Sequence, residues 1–262
     1  MVKTEEEIEQ IRIACRISKF ILKKLGEIVK VGISTKEIEM ECEKLMQEKG
    51  VTSAFKNYNG YPSLLCISVN EEIVHGIPST KKILKEGDIV SIDIGVVYNG
   101  YIGDTAETFP VGKIAEKHLK LLEVTKLALY KGIEKAISGN RVGDISNTIQ
   151  EIAESNGFSV VKEFAGHGVG KNLHESPEIP NFGKYGNGEI LKENMVIAIE
   201  PMINEGSPDI EILSDGWTAI TKDRKYSAHF EETVLIKKDK SEILTISSGC
   251  TASNFVKTVH RS

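Results

Sequence analysis

Thiols, long apolar runs and basic charge are all scarce in this sequence, and each scarcity closes off a class of protein. Of 262 residues only four are cysteine, at positions 15, 42, 66 and 250, and no two form a C-x-x-C pair. Neither a disulfide framework nor a thiolate zinc site is indicated, and the four read as reduced thiols. No stretch approaches the ~20 consecutive apolar residues of a membrane span. The acidic start, Met1-Val2-Lys3-Thr4-Glu5-Glu6-Glu7, leads into no signal-peptide core, so an untethered, cytoplasmic protein is expected. With 33 basic residues against 38 acidic ones the net charge is −5, which offers no electrostatic footprint for reading duplex nucleic acid.

What is present is alternation of helix and strand signals without a low-complexity linker. Thr4 with Glu7 forms a capping-box pattern, and Ile8, Ile11, Cys15, Leu22, Leu25 and Val29 keep one apolar face, predicting a long helix that ends near Gly32. Ser34 with Glu37 repeats the signal for a helix stopping at Gly50. Two further helices are expected around 115–137 and 145–155, the latter capped by Asp144 and stopped near Gly157. Strand-like runs cover Leu65 to Val69, Ile89 to Val97, Val196 to Ile199 and Thr233 to Ile236.

The chain repeats itself. Residues 84–93 (LKEGDIVSID) align with 191–200 (LKENMVIAIE) at an offset of 107, with four identities in ten. Gly32 and Gly50 map onto Gly139 and Gly157 at that same offset. A second echo sets His75-Gly76-Ile77-Pro78 against His174-Glu175-Ser176-Pro177 at an offset of 99, so the second copy carries about eight extra residues after its histidine. Two helix, helix, strand units sharing one sheet give an α+β fold with pseudo-twofold symmetry, in which the strand-end acids Asp93 and Glu200 occupy equivalent places.

Five polar residues stand out against this frame. Asn99-Gly100 between alternating apolar residues is a strong hairpin signal; a two-residue loop sets Tyr98 opposite Tyr101 and Gly95 opposite Asp104. Asp93 then shares a sheet face with Asp104, and two like charges there call for a cation between them, the alternative being solvated acids on an exposed hairpin. His167 lies in Gly166-His167-Gly168-Val169-Gly170, where small neighbours permit close backbone approach; an incidental histidine in a glycine loop is the other reading. The run lacks the spacing and the βαβ context of a dinucleotide fingerprint. Glu200 closes the apolar run Val196 to Ile199 just before Pro201, and Glu231 sits on a strand-like stretch sharing a face with His229 and Thr233 rather than with Glu232. Four carboxylates and one imidazole make a hard donor set suited to Mn²⁺, Fe²⁺, Co²⁺ or Zn²⁺.

With these residues in view, the sequence resembles the type I methionine aminopeptidases, in their short bacterial form, of the pita-bread (creatinase/aminopeptidase) metallopeptidase family. The order Asp, Asp, His, Glu, Glu matches at separations of 11, 63, 33 and 31 residues. So do Asn70-Glu71 through Pro78, Gly103-Asp104-Thr105, Gly166 through Gly170, Ile199-Glu200-Pro201-Met202 and Asp215-Gly216-Trp217-Thr218, within a matched span of roughly 5 to 245. The insertion of the family's second type, and an N-terminal zinc-binding or linker segment, are not expected.

The resemblance implies a pita-bread fold with a central antiparallel sheet, one catalytic domain over 1–245 with repeat halves 5–110 and 112–236, and a tail over 246–262. It implies two divalent metal ions, with Asp93 on one, His167 and Glu200 on the other, and Asp104 and Glu231 shared, together with a nearby structural monovalent cation. A water between the two ions would become the hydroxide that attacks the peptide carbonyl, with Glu200 shuttling the proton. His75 and His174 would bind the substrate's peptide group and its developing oxyanion. Tyr58, Tyr61, Cys66 and Trp217 would surround the methionine side chain. The implied substrates are peptides and nascent chains with N-terminal methionine followed by a small residue, handled by a monomer that touches the ribosome transiently. Asn59, Leu173, His229 and Glu232 depart from the commonest bacterial pattern. Other readings are an Xaa-Pro aminopeptidase or prolidase, which usually carries an additional N-terminal domain, a non-catalytic binding protein on the same scaffold, and a dimetal phosphoesterase.

Overall fold

A computed structural model describes residues 2–246. Apart from Ile246, the expected tail lies outside the described residues, as does Cys250. The helices are Glu5–Ile28 (α1), Thr35–Lys49 (α2), Glu116–Lys135 (α3) and Val142–Ser155 (α4). The strands of the first half are Thr52–Ser53 (β1), Cys66–Val69 (β2), Glu72–Val74 (β3), Ile89–Tyr98 (β4) and Tyr101–Pro110 (β5). Ser159–Val160 (β6), Ala165–Gly168 (β7), Glu175–Pro180 (β8), Val196–Ile199 (β9) and Met202–Asn204 (β10) follow α4. The last five are Ile210–Ile212 (β11), Ala219–Thr221 (β12), Ser227–His229 (β13), Glu231–Leu235 (β14) and Glu242–Ile243 (β15).

Both expected capping boxes form. Thr4 Oγ1 accepts from the Glu7 N–H and Glu7 returns a carboxylate to the Thr4 N–H; Ser34 and Glu37 do the same, each cap contributing ~1 kcal/mol. Two boundaries differ from expectation. Helix α1 stops at Ile28, because Val29 is already extended and Gly32 serves the next turn, donating its N–H to Leu84 O. Helix α4 starts at Val142, so Asp144 is not its cap. Asp144 is the third helical residue, and its carboxylate accepts from Arg141 N and Gly186 N.

The 107-residue offset recurs in the contacts of the three-dimensional structure. Gly32 N donates to Leu84 O as Gly139 N does to Leu191 O, and the bridge Ser34 to Ile83 recurs as Arg141 to Ile190. Val51 N bonds Met46 O as Phe158 N bonds Ala153 O. The Asp144 carboxylate is the counterpart of Glu37, which explains where α4 begins. The cores correspond as well: Leu22, Ile38, Leu84, Val90 and Ile92 in the first are matched by Leu129, Ile145, Leu191, Ile197 and Ile199 in the second, all buried.

The two halves meet in one nine-stranded antiparallel sheet with the order β1-β4-β5-β14-β9-β7-β8, β2 also pairing with β4 and β15 with β14. Two three-stranded sheets flank it, β13-β10-β6 and β11-β12-β3. Ile92 and Ile94 turn from one face of the large sheet into the core beneath α1 and α2. Gly103 on β5 lets α1 lie close, since a side chain there would collide with the α1 backbone at Ala14 and Cys15. The opposite face carries the five candidate residues.

Candidate active site

The register of the central strands gathers all five candidate residues on one face. The Asn99-Gly100 loop has both residues at positive φ, 49° and 79°, and it aligns Gly95 with Asp104 and Asp93 with Ala106. On the next strand Glu231 also opposes Ala106 and Thr233 opposes Ala198. Side chains alternate across a strand, so Asp93, Asp104, Glu231 and the strand-end Glu200 share the face of Ala106 and Ala198. Gly168 pairs with Ile197, and the same alternation sends His167 to that face. Gly166 beside it is required by close packing, because a Cβ would strike the carbonyl oxygen of Ala198.

Ligand atoms of Asp104, His167 and Glu231 lie within 4.8 Å of one another, and all three residues are buried. Glu200 joins them through Oε1, 3.4 Å from His167 Nε2, which is itself 4.0 Å from Asp104 Oδ2. Register sets Asp93 beside them, where the like charges of Asp104 and Glu200 act on its carboxyl group. Burial pushes the carboxyl groups of Asp93, Asp104 and Glu231 well above their ordinary range, and the neighbouring acids push them further. Glu200 goes the other way: burial opposes ionisation, but the imidazoles of His229, His167 and His174 around it hold it below the usual value. Among the described residues, Asp93 Oδ1, Asp104 Oδ1 and Glu231 Oε1 are buried without a hydrogen-bond partner. Buried, unpaired carboxylate oxygens converging on one imidazole fit a divalent cation, which would supply both the missing partners and the missing positive charge.

The two non-ligand histidines flank this cluster. His174 accepts or donates through Nδ1 to Tyr58 OH at 2.8 Å, and its ring meets that of His167 edge-on at 4.3 Å. Burial, with His167 beside it, pushes its pKa down to about 4. His75 is held at positive φ, 61°, with its ring edge against Phe164 at 5.2 Å, and burial lowers its pKa too. Both imidazoles are therefore neutral at pH 7.

All four expected pocket residues belong to one apolar cluster that includes Leu173. Cys66 opposes Asp93 in the β2–β4 register, which places this cluster beside the acids. Trp217 packs edge-on against Tyr61 at 5.1 Å, in a turn tied by Asp215, whose carboxylate accepts from Trp217 N, Thr218 N and Thr218 Oγ1.

One residue behind the site escaped sequence reading. Lys19 of α1 reaches the other face of the sheet, where its Nζ is 2.8 Å from Glu232 Oε1 and 3.5 Å from Thr105 Oγ1. Thr245 Oγ1 holds the other Glu232 oxygen, and Thr105 Oγ1 donates to Glu231 O. A signal existed: Lys19 falls four residues after Cys15 and three before Leu22, within the apolar stripe of α1, and a lysine in that stripe calls for a buried acidic partner.

Four carboxylates and an imidazole on one face of a duplicated antiparallel sheet define a metal-dependent hydrolase of the pita-bread class. The model of metallopeptidase family M24 matches residues 9–238, and the chain belongs to that family. It is 49% identical to a methionine aminopeptidase of Clostridium perfringens over 94% of this chain and 98% of that one. Among solved structures it is similar to a methionine aminopeptidase from Thermotoga maritima, with a TM-score of 0.92, 44% identity and coverage of 94% and 98% of the two chains. A prolidase from Pyrococcus furiosus shares the fold at a TM-score of 0.76 and 28% identity, with 94% of this chain covering 66% of that one. No helix of the described residues is long and apolar enough to cross a membrane.

Proposed function

We propose that the chain is a methionine aminopeptidase that removes N-terminal methionine from peptides and nascent chains when the second residue is small. The observation that carries this reading is the adjacency of Cys66 and Asp93, which sets an apolar cluster of aromatic and thiol side chains directly beside the acids, and in this reading the cluster forms the side-chain pocket. Such a pocket suits an unbranched, polarisable side chain.

In this reading Asp93, Asp104, His167, Glu200 and Glu231 would hold two divalent cations of the Mn²⁺, Fe²⁺, Co²⁺ or Zn²⁺ kind, with Asp104 and Glu231 shared. The chemistry such ions would supply there is acidification of a water and polarisation of the scissile carbonyl. Glu200, whose carboxylate is kept ionised by the histidines around it, accepts a proton at one oxygen and passes it to the leaving amine. His174 is neutral, and with Tyr58 OH donating to Nδ1 it presents Nε2–H to the peptide oxygen as charge develops. His75, neutral and held by Phe164, offers a second donor. Tyr58, Tyr61, Cys66 and Trp217 seat the side chain, and the free α-amine sits beside the acids, a position that an internal peptide bond leaves unfilled.

The proposal extends to a single catalytic domain over 1–245 and to a cytoplasmic monomer that meets its substrates as they leave the ribosome, where N-terminal methionine first occurs. With Mn²⁺ or Co²⁺, the purified protein is expected to release methionine from Met-Ala-Ser and Met-Gly peptides and to leave Met-Leu peptides nearly intact. Equal cleavage of Xaa-Pro substrates or of internal bonds would overturn this specificity.

A further inference from the structure

Glu200 is bracketed by two imidazoles. Its Oε1 lies 3.4 Å from His167 Nε2, and its Oε2 lies 3.6 Å from Nε2 of His229, the last residue of β13. His229 is 2% exposed, and its Nε2 is buried with no hydrogen-bond partner among the described residues. A buried nitrogen left unpaired forfeits its hydration with nothing in return, so a buried imidazole aimed at a carboxylate needs that carboxylate as its acceptor. The base of the side chain is fixed independently. His229 N donates to Thr108 Oγ1 at 2.9 Å, Thr108 Oγ1 donates to His229 O at 2.8 Å, and Ser91 Oγ is bonded to the same hydroxyl. His229 also pairs with Met202, two residues after Glu200.

Resting on the metal-centre reading above, we infer that His229 is a positioning residue for Glu200: its Nε2–H donates to Oε2 and thereby dedicates Oε1 to the cation on the His167 side. The separation of 3.6 Å exceeds a formed hydrogen bond, and a shift of ~0.7 Å in the carboxylate closes it. Drawing Oε1 onto a cation supplies the occasion for that shift. The carboxylate is then held at both ends and cannot rotate to chelate with both oxygens. Outer partners that orient a metal ligand in this way are worth ~10–100-fold in metal affinity.

The test is calorimetric titration of the metal-free, full-length protein with Mn²⁺ alone, beside thermal melts. His229→Ala is expected to weaken Mn²⁺ binding by ~10–100-fold, and His229→Gln to restore it to within a few-fold, because a glutamine amide can place a donor where Nε2 stands. At saturating Mn²⁺ the Ala variant should lose kcat with little change in KM, the Gln variant neither. Should the Ala variant not fold, His229→Asn against His229→Gln carries the comparison, since the shorter amide falls short of Oε2. Mn²⁺ binding by His229→Ala equal to wild type, or His229→Gln and His229→Asn binding alike, would overturn the inference while leaving the metal centre standing. No Mn²⁺ binding by the wild-type protein would overturn the metal centre itself.

Discussion

Glu231 and Glu232 are neighbours in the chain and belong to opposite sides of the sheet. Glu231 joins Asp104 and His167 within 4.8 Å, while Glu232 turns away to pair with Lys19 at 2.8 Å. The alternation of a strand separates them, so two adjacent buried acids serve two unrelated charge balances. Four acids lie together on the site face. The fifth, behind them, receives a lysine from α1.

That pair leads to a stability prediction. The Lys19 and Glu232 side chains are 14% and 5% exposed, and removing one partner strands the other in a low-dielectric interior. Lys19→Met should lower unfolding free energy by ~3–5 kcal/mol in denaturant titrations, and Lys19→Met with Glu232→Leu should recover most of that loss. Equal destabilisation by the single and double variants would contradict the pairing.

For the site itself, Asp104→Ala and Glu231→Ala should each reduce activity by more than ~100-fold, beyond the effect of an outer partner, and should reduce bound metal in parallel. Elemental analysis of each purified variant beside the peptide assay checks this. A variant retaining full metal content and full turnover would refute its place among the ligands.

The raised carboxyl groups set the pH dependence of the metal-free protein. Asp93, Asp104 and Glu231 hold protons more tightly folded than unfolded, so they favour the folded state at low pH, and that contribution is lost as pH climbs from the ordinary carboxylate range of ~4 through their raised values. Glu200, depressed, acts in the opposite sense at the acidic end. Metal binding needs these groups ionised, so the rise in Tm on adding Mn²⁺ should be larger at about pH 7.5 than at about pH 5.5. Thermal melts with and without Mn²⁺ decide the matter; a gap that narrows toward pH 7.5 would show that the acids are not the binding groups.

Much of the chain is legible locally. The capping boxes at Thr4 and Ser34, the stop at Gly50 and the Asn99-Gly100 hairpin follow from backbone hydrogen bonding among residues a few positions apart, and the structure contains each one. The duplication is legible too, because similar sequences at a fixed offset make similar contacts; Leu84 and Leu191 accept the same bond from Gly32 and Gly139. The start of α4 is not legible locally: Asp144 resembles a cap residue in isolation, whereas its repeat mate Glu37 identifies it as a third-position acid.

The sequence by itself determined the presence of the four helices, the hairpin, the two-fold repetition and a set of five candidate donors, since all of these rest on short-range periodicity or on residue chemistry. Only the tertiary structure decided that Lys19 answers Glu232, that Cys66 stands against Asp93, and that His229 is aimed at Glu200. Those partners lie 213, 27 and 29 residues apart. Pairing across such distances is set by strand register and by how a helix lies on a sheet, and both emerge only when the whole core has packed.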